Sequence, residues 1–217
     1  GGWGGEVPTY DLVNEYEVKD PRKVHTILSH GDIFPKKDGN EEVHDYTGYD
    51  NFTKLQSRKH YVDHFRRPDA GLKQTDWSYY HIRYADVLLM YAEAEVRKTG
   101  TVPSVAAINA VNQVRKRAGL SDLPSVTTNT KDAFLNAILI ERGHEFFYEG
   151  NRKIDLIRFN KYAQEMYKAK GIMPTHQYMP IPNYAVEQAI SYGKELKQTW
   201  ERPGWAEDKS KAQQNIN

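Results

Sequence analysis

Acidic and basic side chains alternate with apolar ones between residues 139 and 160, in the run LIERGHEFFYEGNRKIDLIRFN. On a helix, Glu141 and Glu145 would stand one turn apart, and a pair of carboxylates can do acid–base chemistry, as in a glycosidase. The catalytic acid of such a pair needs a raised pKa, however, and neighbouring arginines hold carboxylates in the ionised form. The interleaved arginines therefore favour a structural set of salt bridges between packed helices over a catalytic site.

The salt bridges are expected to join two consecutive helices across a turn at Gly150 and Asn151. Reversal of the chain at this turn would bring the charged side chains that follow it back toward the preceding carboxylates. The residues given this structural role are Glu141, Glu145, Arg152, Asp155 and Arg158. Charged side chains of the helix that follows Tyr80, from Arg83 to Arg97, are expected to extend the same set.

Metal-ligating and nucleophilic residues give weaker signals. His60 and His64 have the i, i+4 spacing of a helical metal pair, but the segment has no helix caps and no third ligand marks the site. His81 and His144 lie among apolar residues and are interpreted as core or interface histidines. The chain has no cysteine and none of the GxSxG, P-loop, HExxH or dinucleotide-binding motifs. We therefore predict no metal site, no cofactor and no enzymatic activity.

Composition narrows the class of protein. The 217 residues can bury a substantial core, and a content of 39% hydrophobic and 12% aromatic residues is typical of a folded chain. No apolar run approaches the roughly 20 residues of a membrane-spanning helix. Thirty basic and 29 acidic residues leave a net charge of +1 without a long basic stripe, which argues against nucleic acid as a partner. The start GGWGG, without an initiator methionine or a signal peptide, indicates a fragment or a processed product.

The two ends of the chain lack strong helical periodicity. Residues 1–79 are rich in glycine and turn signals, and they predict an irregular layer with short strands and one short helix within 9–19. Residues 172–217 predict an extended segment, which Pro180 and Pro182 favour, followed by a short helix at 184–190.

Between these ends, apolar residues recur at helical spacing in four stretches, each of which is closed by a glycine. Thr130 is expected to cap the third helix, which would end at Gly150, and Asn151 to cap a fourth helix that continues to Gly171. The four helices form two predicted hairpins, 80–118 and 130–170. In length and in small-residue content the hairpins resemble tetratricopeptide-type units, which need neighbours to bury both of their faces. The predicted fold class is therefore mainly α, an α–α superhelix of tetratricopeptide-like hairpins with an irregular loop layer and short strands.

Aromatic side chains in the predicted loops are the candidate ligand contacts. Trp3 lies in a glycine-rich loop, Trp77 lies just ahead of the first hairpin, and Tyr49 lies in a third loop. Exposed aromatic faces stack on flat ligand surfaces such as sugar rings, while polar neighbours reach hydroxyl groups. Asp76 and Asn51 are the polar candidates because they neighbour these aromatics. The alternative for each aromatic is that it packs the loop layer onto the helices.

Four motifs that follow one another along the chain resemble the SusD/RagB family. They are YYHIRYADVLLMYAEAEVRKTG, AINAVNQVRKRAGL, LIERGHEFFYEGNRKIDLIRFN and YMPIPNYAV. The resemblance covers essentially the whole chain and corresponds to the C-terminal part of such proteins. It implies that the charged run around Glu141 is a scaffold fingerprint of the family and not a catalytic one.

The resemblance implies a non-catalytic lipoprotein at the outer-membrane cell surface, lipid-anchored through an N-terminal half that lies outside this chain. It implies glycan ligands, or peptides in some members, and a TonB-dependent, SusC-like transporter as partner. It also implies that residues 1–217 are part of one SusD-like domain, with 1–79 as the ligand-side layer, 80–171 as the hairpins and 172–217 as the C-terminal segment. Two rivals stay open, a tetratricopeptide-like scaffold that binds protein segments and a carboxylate-based glycosidase.

Overall fold

Helices form most of the described structure, which confirms the mainly α fold class. The computed structural model describes residues 7–35, 40–45, 53–59, 80–171, 173–174, 178 and 180–196. Contacts divide the chain into two units, residues 1–152 and residues 153–217. Within the described residues, no helix combines the length and the apolar composition needed to cross a bilayer.

The first unit begins with short elements, as the turn signals of this region predict. Their bounds are α1 (Tyr10–Glu15), α2 (Arg22–Thr26), β1 (Ile27–Ser29), β2 (Ile33–Pro35), β3 (Glu41–Val43) and β4 (Leu55–Ser57). The strands form two antiparallel two-stranded sheets, in which β1 pairs with β4 and β2 pairs with β3. Tyr16, Ile27 and Leu55 form a small apolar cluster that holds the end of α1 against the first of these sheets.

The first predicted hairpin is confirmed by α3 (Tyr84–Thr99) and α4 (Val105–Arg117), which pack against each other. Gly100 ends α3 with a φ of 72°, a conformation that glycine adopts without steric cost. Ser104 begins α4, because its hydroxyl accepts a hydrogen bond from the Ala107 amide at 3.2 Å.

The third helix, α5 (Lys131–Glu145), packs against α3 and carries much of the core. Thr130 caps it as expected, accepting from the Ala133 amide at 3.1 Å. The helix ends before Gly150 because Phe146 leaves the helical conformation, and Tyr148 then takes a φ of 62°. The fully buried core side chains of these helices are Leu89, Ala92, Val96, Ala107, Val111, Phe134 and Ile138.

The prediction of one continuous helix from Asn151 to Gly171 is wrong. This segment forms two helices, α6 (Arg152–Arg158) and α7 (Tyr162–Lys170). The break lies at Asn160, whose φ of 59° is left-handed, and the Lys161 amide donates to the Leu156 carbonyl at 2.8 Å as in a helix C-terminal motif. Asparagine tolerates this conformation better than most residues, so the chain can stop and restart here. The predicted C-terminal helix is confirmed as α8 (Asn183–Ser191).

Candidate functional site

The carboxylates of α5 lie in a buried ionic cluster with basic side chains from several other elements. We call this set the α5 ion cluster. Its members are Asp20, Arg22, Lys59, Arg83, Arg115, Arg117, Glu141, Glu145 and Glu149. The side chains of Glu141 and Glu145 are each only 3% exposed, so their charges require partners.

Arg22, the first residue of α2, joins three acids. Its guanidinium lies 2.6 Å from Glu141 Oε1 and 3.2 Å from Glu145 Oε2, and it lies 2.7 Å from Asp20 Oδ2. Asp20 also accepts a hydrogen bond from the Arg22 backbone amide at 2.9 Å, which fixes the start of α2. One side chain therefore ties α2 and the turn before it to α5.

Arg83 performs the same role for the segment that enters α3. Its Nη1 lies 2.7 Å from Glu145 Oε1, and its Nε and Nη2 donate to the two oxygens of Glu149 at 3.0 and 2.9 Å. Arg117, at the end of α4, lies 2.5 Å from Glu145 Oε2. Lys59 also pairs with Glu149 and donates to the Glu145 carbonyl oxygen at 2.6 Å.

Contacts of two further arginines, Arg115 and Arg142, extend the charged network on α5. Arg115 lies 3.3 Å from Glu141 Oε2 and 2.7 Å from Glu17 Oε1. Arg142, on α5 itself, lies 2.6 Å from Asp86 Oδ1 on α3. The Arg142 guanidinium lies 5.0 Å from the centre of the Phe146 ring, within the range of a cation–π contact.

Burial and pairing act in opposite directions on the pKa values of the cluster. Burial alone would raise the pKa of Asp20 and lower that of Arg22. For Asp20, the hydrogen bonds and the positive charge of Arg22 act together against burial, and the pKa is lowered. For Arg22, the hydrogen bonds and negative charges of Asp20 and Glu141 together outweigh burial, and the pKa is raised. Burial also lowers the pKa of Lys59, and its pair with Glu149 opposes this only in part.

This geometry supports a structural role for the cluster and argues against a role in acid–base catalysis. Both carboxylate oxygens of Glu141, of Glu145 and of Glu149 accept hydrogen bonds from basic side chains. A catalytic acid must carry a proton to a leaving group, and these oxygens are instead turned to arginines and a lysine. The cluster therefore holds α5 to the elements packed around it.

The prediction that Arg152 pairs with a carboxylate of α5 across the turn is wrong. Its guanidinium Nη1 donates to the backbone carbonyl of Leu139 at 2.9 Å, where a carboxylate partner was predicted. Asp155 pairs with Arg158 three residues further along α6, at 2.9 Å. The partners of Glu141 and Glu145 in the cluster come from α2, from α4 and from the segment before α3.

Arg152 also explains the glycine in the last turn of α5. A Cβ atom on Gly143 would lie 2.7 Å from Arg152 Nη1, closer than such atoms approach in real structures. Glycine weakens a helix by roughly 0.5–1 kcal/mol relative to alanine, so its presence here needs a packing reason. The close passage of the guanidinium over α5 provides that reason.

His144 is a core histidine, as predicted. Its ring stacks on that of Tyr16, with centroids 4.1 Å apart, and its Nε2 lies 3.5 Å from Glu15 Oε2. Burial raises the pKa of Tyr16 to about 12, and its hydroxyl donates to the His144 carbonyl at 3.2 Å. His81 is exposed, so a core role is wrong for that residue and only an interface role is compatible with its position.

A groove of about 320 Å³ lies between the start of α3 and the end of α4. Its lining is mostly apolar, with Ala85, Leu88 and Val114, and Tyr84 and Gln113 also line it. Arg83 and Arg117 border it while their guanidinium groups contact Glu145. This is a surface that can receive an apolar group.

The five ligand contacts predicted from the sequence lie outside the described residues. They are Trp3, Tyr49, Asn51, Asp76 and Trp77. The same holds for His60 and His64, the weak metal pair. Among the residues that are described, no three histidine, aspartate or glutamate side chains are grouped as metal ligands.

Sequence reasoning expected Arg83 to join the charged set, but it missed the other basic members of the cluster, which are Arg22, Lys59, Arg115 and Arg117. Arg115 and Arg117 lie in the last turn of α4, where basic residues interact favourably with the helix dipole. Because this interaction already accounts for their position, there was no reason in the sequence to expect their ion pairs with α5. Arg22 and Lys59 lie in segments without helical periodicity, so no spacing rule connects them to Glu141 or Glu149. An excess of buried acids on α5 was the available signal that basic partners must come from elsewhere.

Known proteins resemble this chain in both sequence and fold. The SusD family model matches residues 2–205. SusD-like protein P2 of Formosa agariphila is 30% identical over an alignment of 201 residues, which covers 83% of this chain and 37% of that protein. A SusD-like crystal structure from Bacteroides fragilis superposes with a TM-score of 0.62 at 26% identity, over 75% of this chain and 38% of that one.

A laminarin-binding SusD-like protein also matches, with a TM-score of 0.54 and 27% identity over 81% of this chain and 34% of that one. The chain thus spans less than half the length of each of these relatives. The family match covers nearly the whole chain, including α3, α4 and the α5 ion cluster. The chain therefore belongs to the SusD family.

Proposed function

We propose that the protein binds glycans at the cell surface, without catalysis, as part of a longer protein that delivers them for uptake. The observation that carries this proposal is membership of the SusD family, together with the likeness to a laminarin-binding SusD-like protein. The α5 ion cluster is consistent with it, because its carboxylates serve as structural anchors for the helices. A peptide-binding role is the alternative within the same family.

We place the glycan contacts in the loop layer, at Trp3 and Trp77, with Tyr49 as a further stacking face. The support is chemical: tryptophan offers the largest flat face for a sugar ring, and Asp76 and Asn51 are polar neighbours in the sequence that can reach hydroxyl groups. The helices α3, α4 and α5 would serve as the rigid scaffold behind this layer.

The uptake step requires a partner, for which we propose a TonB-dependent, SusC-like transporter in the outer membrane. The longer protein would supply a lipid anchor and the N-terminal half of the SusD-like domain, with residues 1–79, 80–171 and 172–217 as the parts described above. Co-purification of the transporter with the tagged longer protein from detergent-solubilised outer membranes tests this arrangement. Recovery of the tagged protein from the soluble fraction would contradict it.

Glycan binding is tested with the longer protein that the gene encodes, on an array that carries laminarin, other polysaccharides and a peptide set. We expect saturable binding to one glycan class, followed by calorimetric titration with that glycan, and no release of reducing sugar. Binding to peptides alone would favour the alternative within the family. Release of sugar would favour a glycosidase and would refute the non-catalytic role.

A further inference from the structure

The two residues that flank positions 60–82 meet at one place, the C-terminal end of α5. Lys59 comes shortly after β4, and Arg83 is the residue that precedes α3. The side chains of both reach Glu145, the last residue of α5, whose backbone carbonyl oxygen accepts from Lys59 Nζ at 2.6 Å and from Arg83 Nη2 at 2.9 Å. The carbonyl end of a helix carries partial negative charge, so it is a favourable place for two cations.

Glu149 supplies the charge that allows these two cations to lie together. Its Oε1 pairs with Lys59 and accepts from Arg83 Nη2 at 2.9 Å, and its Oε2 accepts from Arg83 Nε at 3.0 Å. The side chain of Glu149 is 7% exposed and those of Lys59 and Arg83 are 23% and 25% exposed, so solvent screens the charges only in part. Without this carboxylate, two like charges would repel each other at one carbonyl oxygen.

The chain that follows α5 turns so as to place Glu149 between the cations. Phe146 leaves the helical conformation, Tyr148 takes a φ of 62°, and the Glu149 amide donates to the Phe146 carbonyl at 3.0 Å. The left-handed conformation is uncommon for a tyrosine and persists where the surroundings hold it. The Arg83 guanidinium also lies 4.8 Å from the centre of the Phe146 ring, within the range of a cation–π contact.

We propose that Lys59, Arg83 and Glu149 position the segment 60–82 by fixing both of its ends at α5. Fixing the ends of a chain segment removes many of the conformations that it could otherwise adopt. The segment contains Trp77, a proposed glycan contact, so the three residues act on glycan binding as positioning residues and do not touch the glycan. The inference deepens the proposed function and rests on it for the effect on affinity.

Hydrogen exchange of backbone amides in the longer gene product measures the order of the segment without a ligand. Peptides from 60–82 and from α3 are followed by mass spectrometry in the parent and in Lys59→Met, Glu149→Gln and Arg117→Met. Methionine keeps much of the apolar length of lysine and arginine while it removes the charge. Arg117→Met is the matched control, because Arg117 pairs with Glu145 from the end of α4 and does not flank the segment.

We expect exchange within 60–82 to be at least about fivefold faster in Lys59→Met and Glu149→Gln, with Arg117→Met and the peptides of α3 changed less than about twofold. Lys59→Arg keeps the charge and should exchange like the parent. Equal rates in the parent and in Glu149→Gln would overturn the proposal, as would equally fast exchange in Lys59→Arg and Lys59→Met. Acceleration in Arg117→Met or throughout α3 would also overturn it, because a general loss of stability would then explain the effect.

Calorimetric titration of the same variants with laminarin separates this inference from the proposed function. A binding segment that is held in place loses less freedom when the ligand binds, so we expect affinity to fall at least about threefold in Lys59→Met and Glu149→Gln but not in Arg117→Met. Unchanged affinity alongside faster exchange would refute the role in glycan binding. A parent protein that binds no laminarin would count against the proposed function alone, since the exchange rates still decide whether the ends of the segment are held.

Discussion

Removal of the Arg22 side chain should destabilise the protein more than removal of any exposed ion-pair partner. The side chain is 12% exposed and contacts three carboxylates whose own side chains are 0–3% exposed. Loss of one partner from a buried ion pair costs about 3–5 kcal/mol, because the remaining charge is left without compensation. Arg115 and Arg117 still contact Glu141 and Glu145 after Arg22→Ala, so we expect the lower end of this range, about 3 kcal/mol.

The assay is urea unfolding at neutral pH, followed by circular dichroism and analysed by linear extrapolation. Lys116→Ala is the control, because Lys116 and its partner Asp122 are 64% and 53% exposed and a surface pair contributes about 0–1 kcal/mol. A loss for Arg22→Ala no larger than that of the control would refute the assignment of the α5 ion cluster as a buried structural anchor.

A double-mutant cycle separates stranded charge from lost packing. Asp20 has a fully buried side chain that hydrogen-bonds to Arg22 through both of its oxygens. Adding Asp20→Asn to Arg22→Ala removes the stranded charge, so the double variant should be about 1–3 kcal/mol more stable than the two single losses predict. Strictly additive losses would mean that the cost of Arg22→Ala comes from packing and not from charge.

The pH dependence of stability follows from the same pair. The folded pKa of Asp20 lies below its unfolded value of about 3.9, so its contribution is present above that value and is lost as the pH falls through the folded pKa. Arg22→Ala removes the donors that lower this pKa. The difference in stability between the parent and the variant should therefore narrow below about pH 4, and a constant difference would contradict the linkage.

The remaining predictions concern α5, the ligand contacts and the exposed residues of α3. Gly143→Ala should stabilise an Arg152→Ala background by roughly 0.5–1 kcal/mol in urea unfolding, and clearly less in the parent, where Arg152 occupies the space that the new methyl group needs. An equal gain in both backgrounds would show that the contact is unimportant. Trp3→Ala and Trp77→Ala should each weaken glycan binding by roughly 1–3 kcal/mol in calorimetric titration without a change in circular dichroism, by analogy with stacking on other planar rings; parental affinity in both variants would refute the site assignment. The 217-residue chain should bind a hydrophobic dye more strongly than the longer protein, because Tyr84, Val87 and Tyr91 are exposed on α3; equal fluorescence would contradict this.

The sequence determined the local elements because their signals are local. Apolar spacing located α3, α4 and α5, and Pro180 and Pro182 indicated the extended segment that precedes α8. Gly100 and Thr130 marked helix ends through conformation and capping that depend only on nearby residues. The same reasoning failed at Asn160, where a non-glycine residue takes a left-handed conformation and divides the predicted fourth helix. The charge pattern of α5 was recognised as structural, since arginines accompany its acids.

Only the tertiary structure decided which basic residues neutralise those acids. Glu141 is separated from Arg22 by 119 residues and from Arg115 by 26, and no periodicity connects positions so far apart. The sequence pointed to Arg152, the nearest arginine beyond the turn, but that side chain satisfies a backbone carbonyl instead. A buried carboxylate accepts whichever donor the packing of the elements brings within about 3 Å, because burial penalises the unpaired charge whatever the origin of the partner. The acids of α5 thus show from the sequence that basic partners are needed. Which residues serve as these partners follows from the packing of α2, α4 and the segment before α3 around α5.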